Sequence, residues 1–248
     1  MKIVGITTIR NEEGIIKDTL DHFTKFCNAG IYVYDDASED RTVDICKKHF
    51  AIETLIKGKN WSKERMWAQA YNRQRVLKEA QKDNPDWLIY FDADERIDWD
   101  FKGFENYDAI KMKLFDFYIT EEDKDKNYKE RKWIGPEFRR IIMMFKNSPY
   151  LKYYKKGQRE VSLSPNAKIL EAGFVKHYGK AISVKEWDKT CDYYSRYFPE
   201  QYSEKWLERK GKSIHTKSDL GNRLITWDGK EKSHIFLTIR DRIILEKK

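Results

Sequence analysis

One cluster of acidic residues in the sequence has the spacing of a metal site. Asp92, Ala93, Asp94 and Glu95 directly follow the apolar run 87–91. Residues two apart in an extended chain point to the same side, so Asp92 and Asp94 would present two repelling carboxylates together. A divalent cation relieves that repulsion, and Mg²⁺ and Mn²⁺ both suit carboxylate oxygen and bridge readily to phosphate. The pattern favours a metal site for a phosphate-bearing substrate over an acidic turn that caps the next element.

A second acidic pair, Asp35 and Asp36, ends the apolar run 31–34. A carboxylate at the end of a strand can accept hydrogen bonds from a ribose hydroxyl or a base N–H. The same residue type also caps the helix that follows. With two aspartates, one can cap while the other binds a ligand, and the sequence leaves open which does which.

Further candidates for a nucleotide pocket are polar residues close to the first apolar run and on a later helix. They are Thr7, Arg10, Asn11, Glu12 and Arg75. Arginine makes forked contacts to phosphate, although a single helical arginine is more often a surface residue. Neither a GxGxxG loop nor a GxxxxGK[ST] loop is present in the sequence, which argues against dinucleotide binding and against a P-loop.

Two candidate residues from a later part of the chain could complete the catalytic site. Glu160 is a candidate general base, although from spacing alone it is no better than Glu137 or Asp116. His177 lies between short apolar runs. An imidazole can complete a metal site made by carboxylates, although a lone histidine is more often structural.

Alternating strands and helices must position these groups. The apolar periodicity predicts strands over 3–9, 31–34, 51–56 and 87–91, and helices ending near Phe26, near His49 and over 62–82. Such alternation is typical of a parallel sheet with helices on its faces. Ligands bind beyond the carboxyl ends of strands in these sheets, and both acidic clusters follow a predicted strand.

The remainder of the chain reads as further strands and then helices. We predict strands over 109–119 and 138–145, a charged solvated loop over 120–132, and short strands within 150–180 broken by glycine and proline. A helical segment over 183–210 is rich in aromatic residues, and 235–245 is apolar and basic. The aromatic set comprises Trp187, Tyr193, Tyr194, Tyr197, Phe198, Tyr202 and Trp206. These rings could form a surface for a glycan or lipid-linked acceptor, or belong to an amphipathic helix pair packed over the core.

Composition bounds the class of protein. Of 248 residues, 36% are charged and 15% aromatic, which is typical of a soluble, well-folded chain. The net charge of +8 favours anionic partners, yet lysine and arginine are interspersed with acidic residues and form no basic tail. A nucleic-acid-binding protein is therefore an alternative, but it explains neither acidic cluster.

Cysteine usage and hydropathy indicate a cytosolic protein. Cys27, Cys46 and Cys191 are odd in number and lack metal-ligand spacing, so we expect reduced, buried thiols. We expect no signal peptide, because the first apolar run is too short for one. No run approaches the roughly 20 apolar residues of a membrane span.

Taken in order, four motifs resemble those of glycosyltransferase family 2 enzymes with the GT-A fold. They are ITTIRNEE at 6–13, YDDASEDRT at 34–42, QR at 74–75 and WLIYFDADE at 87–95. Within that family, the motifs are similar to those of bacterial lipopolysaccharide-core and polysaccharide glucosyltransferase-like proteins. The resemblance is specific over 1–98 and extends through 130–180.

This resemblance implies an α/β protein of the GT-A fold, with a Rossmann-like, mostly parallel central sheet and helices on both faces. We expect a catalytic domain over 1–182, with its nucleotide-sugar half at 1–98 and its acceptor half at 99–182. A mainly helical extension over 183–248 would pack on the same domain.

The resemblance also implies an activity. The enzyme would move a sugar, with inversion, from a nucleoside-diphosphate-sugar to a glycan, lipid-linked or other hydroxyl acceptor, using Mn²⁺ or Mg²⁺. A UDP-sugar is favoured, with GDP- and dTDP-sugars as alternatives. We expect a cytoplasmic location, with peripheral contact to the inner face of a membrane. The rival enzyme class is a nucleotidyltransferase that makes nucleotide-sugars, although such enzymes usually carry a glycine-rich phosphate loop that this chain lacks.

For the donor nucleotide, the resemblance implies roles for three parts of the chain. The loop of Arg10, Asn11 and Glu12, with Thr7 before it, would contact the nucleotide. Asp36, with Asp35 beside it, would lie near the base and ribose, and Arg75 would lie near the donor.

For the metal and the chemistry, Asp94 would be the direct ligand and a catalytic residue. Asp92 would lie nearer the ribose and the metal's waters, with Ala93 between them, and His177 would complete the metal shell. Glu160 would be the base. Related proteins often show His-Glu where this chain has Arg159-Glu160.

Overall fold

The computed structural model describes residues 1–59, 61–198, 200–228 and 237–238. The chain forms two compact units. The first comprises Met1–Met112 and Ile141–Ala172, and the second comprises Lys113–Arg140 and Gly173–Lys248. Apart from 237–238, the predicted apolar and basic stretch at 235–245 lies outside the described residues, and the predicted domain boundary at 182 stays a prediction.

The described elements are ten strands and five α-helices. The strands are β1 (Ile3–Ile9), β2 (Ile31–Asp35), β3 (Ile52–Lys57), β4 (Trp87–Tyr90), β5 (Glu95–Asp98), β6 (Ala109–Phe117), β7 (Trp133–Lys146), β8 (Ile169–His177), β9 (Ile225–Thr226) and β10 (Leu237–Thr238). The helices are α1 (Ile16–Phe23), α2 (Thr42–Lys48), α3 (Arg65–Gln81), α4 (Val184–Tyr197) and α5 (Glu200–Arg209). The strand order is β3-β2-β1-β4-β7-β6-β8-β5, and β9 and β10 each pair with β7.

In the first unit, four neighbouring strands run parallel. Ile6 at the middle of β1 pairs with Tyr32 of β2 on one side and Tyr90 of β4 on the other. Strand β3 continues the parallel run beside β2, and β7 is antiparallel to β4. The predicted α/β class with a parallel nucleotide half is therefore confirmed. The carboxyl ends of β1, β2 and β4 share one edge of the sheet, where a ligand is expected.

Helix α1 is held against this sheet by aromatic packing. The ring of Phe23, at the end of α1, stacks on Phe91 with centroids 3.6 Å apart. A Cβ at Gly5 of β1 would lie 3.0 Å from both Cys27 Sγ and the Phe91 ring. The space beside Gly5 is therefore already filled, and β1 depends on a residue without a side chain here.

Three strands differ from the sequence prediction. β7 starts at Trp133 rather than 138, because its first residues pair with β9, about ninety residues later in the chain. β8 is a single strand through Gly173, whose positive φ of 73° is tolerated inside the strand. The sequence does not predict β5, which begins at Glu95, the last residue of the acidic cluster.

The aromatic segment of the second unit forms two packed helices. Trp187, Cys191 and Trp206 make a buried cluster, and Tyr194 stacks on Trp206 with centroids 4.7 Å apart. Ser183 caps α4 by accepting the Glu186 backbone N–H at 3.1 Å. Of the two interpretations of this segment, the structure supports the packed helix pair for these residues.

The charged segment 120–132 is partly buried, so its prediction as a solvated loop was only half right. Asp123 Oδ1 accepts the Thr120 backbone N–H at 2.8 Å. Arg131, also buried, donates from Nε to the Ala181 carbonyl at 3.1 Å. Asp123 thus closes a turn inside the loop, and Arg131 joins the loop to the backbone at Ala181.

Two further expectations concern thiols and hydropathy. Cys27, Cys46 and Cys191 are all free and buried, as predicted. Among the described residues, no helix combines the length and the apolar character needed to cross a bilayer.

The packing around Gly5 gives a stability prediction. We expect Gly5→Ala to lower the free energy of unfolding by about 1–3 kcal/mol, because the added methyl overpacks a filled core. Gly14→Ala is the control, since nothing lies within 4 Å of a Cβ there, and it should change stability by less than about 1 kcal/mol. Urea unfolding measures both, and equal midpoints for the two variants would contradict the packing described here.

Candidate functional site

The loops that follow β1 and β2 are joined by hydrogen bonds. Arg10 Nη1 donates to the Asp36 carbonyl at 2.7 Å. The Asn11 backbone N–H donates to Ser38 Oγ at 2.9 Å, and Asn11 Oδ1 accepts the Glu39 backbone N–H at 2.8 Å. The structure thus brings together the two polar loops that the sequence singled out.

Both loops contain a residue in the left-handed region. Asn11 has φ 54° and Ala37 has φ 56°. This conformation costs a residue with a Cβ about 1–2 kcal/mol, and asparagine tolerates it better than alanine. Such conformations concentrate where a loop must hold a defined shape for a ligand. The cross-loop hydrogen bonds keep these two turns in place.

Asp35 and Asp36 have different partners. Asp35 is fully buried, and its carboxylate accepts the Ser38 backbone N–H at 3.1 Å, so Asp35 caps the turn. Asp36 forms a buried ion pair with Arg65 at the start of α3. The guanidinium groups of Arg10 and Arg65 lie 5.0 and 5.2 Å from the Trp61 ring. Asp35 therefore caps this turn, whereas α2 begins after Arg41 without a side-chain cap, so neither aspartate caps the helix as the sequence suggested.

Beyond β4, the acidic turn is tied to a buried tyrosine. Tyr90 Oη donates to Asp92 Oδ1 at 2.8 Å and accepts from Arg73 Nε at 2.8 Å. Thr8 Oγ1 lies 3.1 Å from the same phenol oxygen. Burial raises the pKa of the Tyr90 phenol to about 12. The phenol therefore stays protonated at neutral pH and orients one oxygen of Asp92.

The other oxygen of Asp92 faces Arg159. Arg159 Nε lies 3.1 Å from Asp92 Oδ2, and Nη2 donates to both Glu95 oxygens at 2.8 and 2.7 Å. The guanidinium also lies 4.6 Å from the Tyr90 ring centroid. Burial alone would lower the pKa of Arg159, but the Glu95 and Asp92 carboxylates outweigh burial and raise that pKa well above its usual value. Arg159 is thus a permanent cation inside the acidic turn.

Main-chain contacts fix the shape of this turn. The Asp92 backbone N–H donates to Glu95 Oε2 at 3.0 Å. The carbonyl of buried Ala93 accepts from Thr19 Oγ1 and from Arg96 Nη1. Glu95 is buried and holds the turn closed, whereas Asp94 is partly exposed.

The chemistry of the turn fits the Mg²⁺ or Mn²⁺ that the family resemblance implies. Both ions bind oxygen, and Mg²⁺ commonly takes only one or two protein carboxylates, with substrate phosphates and water completing its shell. Asp94, with Asp92 two residues before it, supplies that number. Across the part of the chain that the structure describes, no three or more histidine, cysteine or acidic side chains are grouped to hold a metal. Substrate oxygens would therefore have to supply the remaining ligands.

The other predicted residues of the first unit have defined surroundings. Thr7 is buried, and within the described ranges its hydroxyl has no hydrogen-bond partner. The Glu12 backbone N–H donates to Thr42 Oγ1 at 2.7 Å. Arg75 is exposed, with its guanidinium 5.4 Å from the Tyr34 ring. Glu160 is partly exposed. The functions predicted for these residues stay predictions.

His177 lies in the second unit, within a network of charges. Its Nδ1 is 2.5 Å from Asp116 Oδ1, and Lys180 Nζ donates to Asp116 Oδ2 at 2.8 Å. Lys180 also pairs with Asp219 at 3.0 Å. A carboxylate bound to one ring nitrogen commonly orients a metal-binding histidine, so this geometry is compatible with the predicted role, which stays a prediction.

The carboxylates of this network are held ionised by their neighbours. Burial would raise the pKa of Asp116, but Lys180, Arg139 and His177 outweigh it and hold that pKa well below its usual value. Lys180 and Arg209 likewise outweigh burial and lower the pKa of Asp219. Lys180, with 11% of its side chain exposed, is the cation shared by both aspartates.

Sequence reasoning missed the partners of the acidic residues. These are Arg65, Arg73, Tyr90 and Lys180, together with Arg159, which was noted only as a departure from the family pattern. One signal was present, because Arg73 falls on the buried face of α3 with Val76, Leu77 and Ala80. Helical spacing therefore predicts a buried arginine at 73, next to the Gln74-Arg75 pair that the motif comparison selected.

The shared role of Lys180 gives a prediction. We expect Lys180→Met to lower the free energy of unfolding at pH 7 by about 3 kcal/mol, because two partly buried carboxylates lose their common partner. Lys185→Met, on the exposed side of α4, is the control and should be nearly neutral.

The pH dependence of this effect has a defined sign. Because the folded pKa values of Asp116 and Asp219 are lowered, the stabilisation is complete above their unfolded pKa of about 4. It is lost as pH falls through the lower folded values. Urea unfolding from pH 7 to pH 2 should show the wild type and Lys180→Met converging below pH 4. A constant difference would contradict the assignment.

Comparison with known proteins identifies the family. The model of "Glycosyl transferase family 2" matches residues 6–159, more than half of the chain. Two curated mycobacterial proteins, Rv3786c of Mycobacterium tuberculosis and Mb3815c of Mycobacterium bovis, are each 28% identical over 102 residues. That match covers 40% of this chain and 25% of each relative, so the chain spans about a quarter of their length.

Solved structures show more distant likeness. S. aureus TarS 1-349 is 14% identical, with a TM-score of 0.45, over 84% of this chain and 71% of that chain. Glucosyl-3-phosphoglycerate synthase from Mycobacterium tuberculosis, in complex with Mn²⁺ and UDP-glucose, is 15% identical, with a TM-score of 0.33, over 46% of this chain and 43% of that chain. On the match to residues 6–159, the chain belongs to glycosyl transferase family 2.

Proposed function

We propose that this chain is a glycosyltransferase that takes a sugar from a nucleoside-diphosphate-sugar and transfers it, with inversion, to a hydroxyl acceptor. The observation that carries the proposal is the edge formed by the carboxyl ends of β1, β2 and β4. The polar loop at 10–12, the Asp35-Asp36 turn and the Asp92–Glu95 turn all follow strands that end there. All three lie within the residues that match the family.

The nucleoside end of the donor is assigned to the loops after β1 and β2. Arg10, Asn11 and Glu12 lie in the first loop, which is fixed to the second by the hydrogen bonds described above. Asp36, paired with Arg65, would provide a carboxylate for a ribose hydroxyl or base N–H. The resemblance favours a UDP-sugar, with GDP- and dTDP-sugars as alternatives.

The diphosphate end is assigned to the acidic turn. Asp94, with Asp92 as its helper, would hold Mn²⁺ or Mg²⁺. When bound, this ion supplies charge neutralisation to the departing diphosphate. Tyr90 orients Asp92, and Glu95 keeps the turn closed. These contacts would hold the turn in position for the donor diphosphate.

Glu160 is assigned as the base, in the same unit as the acidic turn. Its carboxylate takes the proton of the acceptor hydroxyl. The hydroxyl oxygen forms a bond to C1 of the sugar from the face opposite the diphosphate. The bond from C1 to the diphosphate oxygen breaks with its electron pair, which leaves a free nucleoside diphosphate and an inverted glycoside. The acceptor is a glycan or a lipid-linked hydroxyl, and contact with a membrane surface belongs to the same proposal.

Product analysis separates this proposal from its rivals. A glycosyltransferase releases a free nucleoside diphosphate, whereas a nucleotidyltransferase making nucleotide-sugars releases pyrophosphate. A nucleic-acid-binding protein would instead show salt-dependent affinity for DNA or RNA, unaffected by metal or UDP.

The acidic turn gives the test of the proposal. With Mn²⁺ and a cell-envelope extract as the source of acceptors, we expect the protein to release nucleoside diphosphate from one of UDP-, GDP- or dTDP-glucose. Asp94→Asn should lower that rate by about 100-fold or more, because a metal ion contributes several kcal/mol to the transition state. Asp100→Asn, at an exposed ion pair with Lys102, is the matched control and should leave the rate unchanged. Wild-type turnover by Asp94→Asn would remove the metal role from this turn.

A further inference from the structure

The two contacts that Arg159 makes in the acidic turn are unequal. Glu95 has only 2% of its side chain exposed, and both its oxygens accept from Arg159 Nη2. Asp92 has 33% of its side chain exposed, and only Oδ2 faces Arg159, with Nε 3.1 Å away. The guanidinium can therefore leave Asp92 while it stays bound to Glu95.

The rest of the turn allows such a release. Asp92 Oδ1 remains bound to the Tyr90 phenol, and the Asp92 backbone N–H remains bound to Glu95. Neither hydrogen bond involves Arg159. Asp92 would thus keep its position when Arg159 turns away, and Oδ2 would become accessible to another cation.

We propose that Arg159 and the divalent metal compete for Asp92. The diphosphate of the donor binds the guanidinium and moves it away from Asp92, so that the metal can bind there. Arg159 is then a positioning residue that makes metal binding depend on the nucleotide. This inference rests on the proposed function, because it needs a diphosphate and a divalent cation at the turn.

The physical basis is charge. A divalent cation placed on Asp92 beside a guanidinium is repelled by it, and burial makes this repulsion stronger than it is in water. A diphosphate carries several negative charges, and arginine binds phosphate oxygens through forked, charge-assisted hydrogen bonds. Nucleotide binding therefore removes the repulsion at the moment when the metal is needed. By linkage, the metal and nucleotide then raise each other's affinity by the same factor.

The competing explanation is that Arg159 only neutralises buried Glu95. Under that explanation, removing the guanidinium would destabilise the turn and would not improve the binding of Mn²⁺ alone. The two explanations therefore differ in one quantity, the dissociation constant of Mn²⁺ without nucleotide, which falls on removal of the guanidinium only if Arg159 competes with the metal.

The experiment measures Mn²⁺ binding by electron paramagnetic resonance of the free ion, with no nucleotide and with saturating UDP. UDP stands for the diphosphate, and GDP and dTDP are tested in parallel. Arg159→Gln removes the charge. Because Arg159→Gln leaves Glu95 without its partner, the double variant Arg159→Gln/Glu95→Gln removes both charges, and the glutamine at 95 keeps the shape of the glutamate. Arg159→Lys keeps the positive charge, and Asp94→Asn controls for binding elsewhere.

We expect the wild type to bind Mn²⁺ alone weakly, and the charge-removing variants to bind it about tenfold more tightly. Diphosphate oxygens are themselves Mn²⁺ ligands, so UDP should improve binding in every protein. UDP should strengthen Mn²⁺ binding by a factor about tenfold larger in the wild type and Arg159→Lys than in the charge-removing variants. This difference measures the part of the UDP effect that depends on the charge of Arg159.

Two outcomes would overturn the inference and leave the proposed function standing. In one, Mn²⁺ alone binds the charge-removing variants no more tightly than it binds the wild type. In the other, the wild type binds Mn²⁺ equally well with and without UDP. This second outcome can be tested with the wild-type protein alone. If none of the nucleotides promotes Mn²⁺ binding in any of the proteins, and Mn²⁺ alone does not bind, the inference and the proposed function fail together.

Discussion

The repulsion between Asp92, Asp94 and Glu95 is the constraint on which the candidate site depends. Three carboxylates within four residues need compensating charge, and Arg159 pairs with two of them. The exposed pairing at Asp92 is the one that a bound metal could replace. The negative charge of a phosphate-bearing substrate must therefore be neutralised by the charges at this turn rather than by a glycine-rich loop.

The parallel sheet determines where the acidic turn and the two neighbouring polar loops lie. Parallel pairing of β1 with β2 and β4 sets three polar turns at one edge. The gap around Gly5 is filled by Cys27 and Phe91, which fixes β1 against its neighbours. Left-handed turns at Asn11 and Ala37 are held by hydrogen bonds between the loops. Contacts within the protein thus fix the shape of these loops, as preorganised catalysis requires.

Local sequence patterns predicted the first half of the fold. The second half was predicted less well, because its strands pair with residues that are distant in sequence. The alternation up to Tyr90 gave β1–β4, the intervening helices and the edge that carries Asp36 and Asp92. The early start of β7 depends on β9, which no local pattern reveals. The same limit applies to the site, because spacing identified the carboxylates but not the cations that pair with them. Arg159 lies 64 positions from Glu95, and a charge so distant cannot be assigned to its partner from spacing.

In the proposed function, the acidic turn binds a nucleoside diphosphate together with a divalent cation. This binding can be measured through the melting temperature of the protein with UDP, GDP or dTDP, each with and without Mn²⁺. We expect one nucleotide, at about 100 times its dissociation constant, to raise the melting temperature by about 5 °C or more only when Mn²⁺ is present. No shift with any of the three nucleotides, or an equal shift without the metal, would contradict the proposed function.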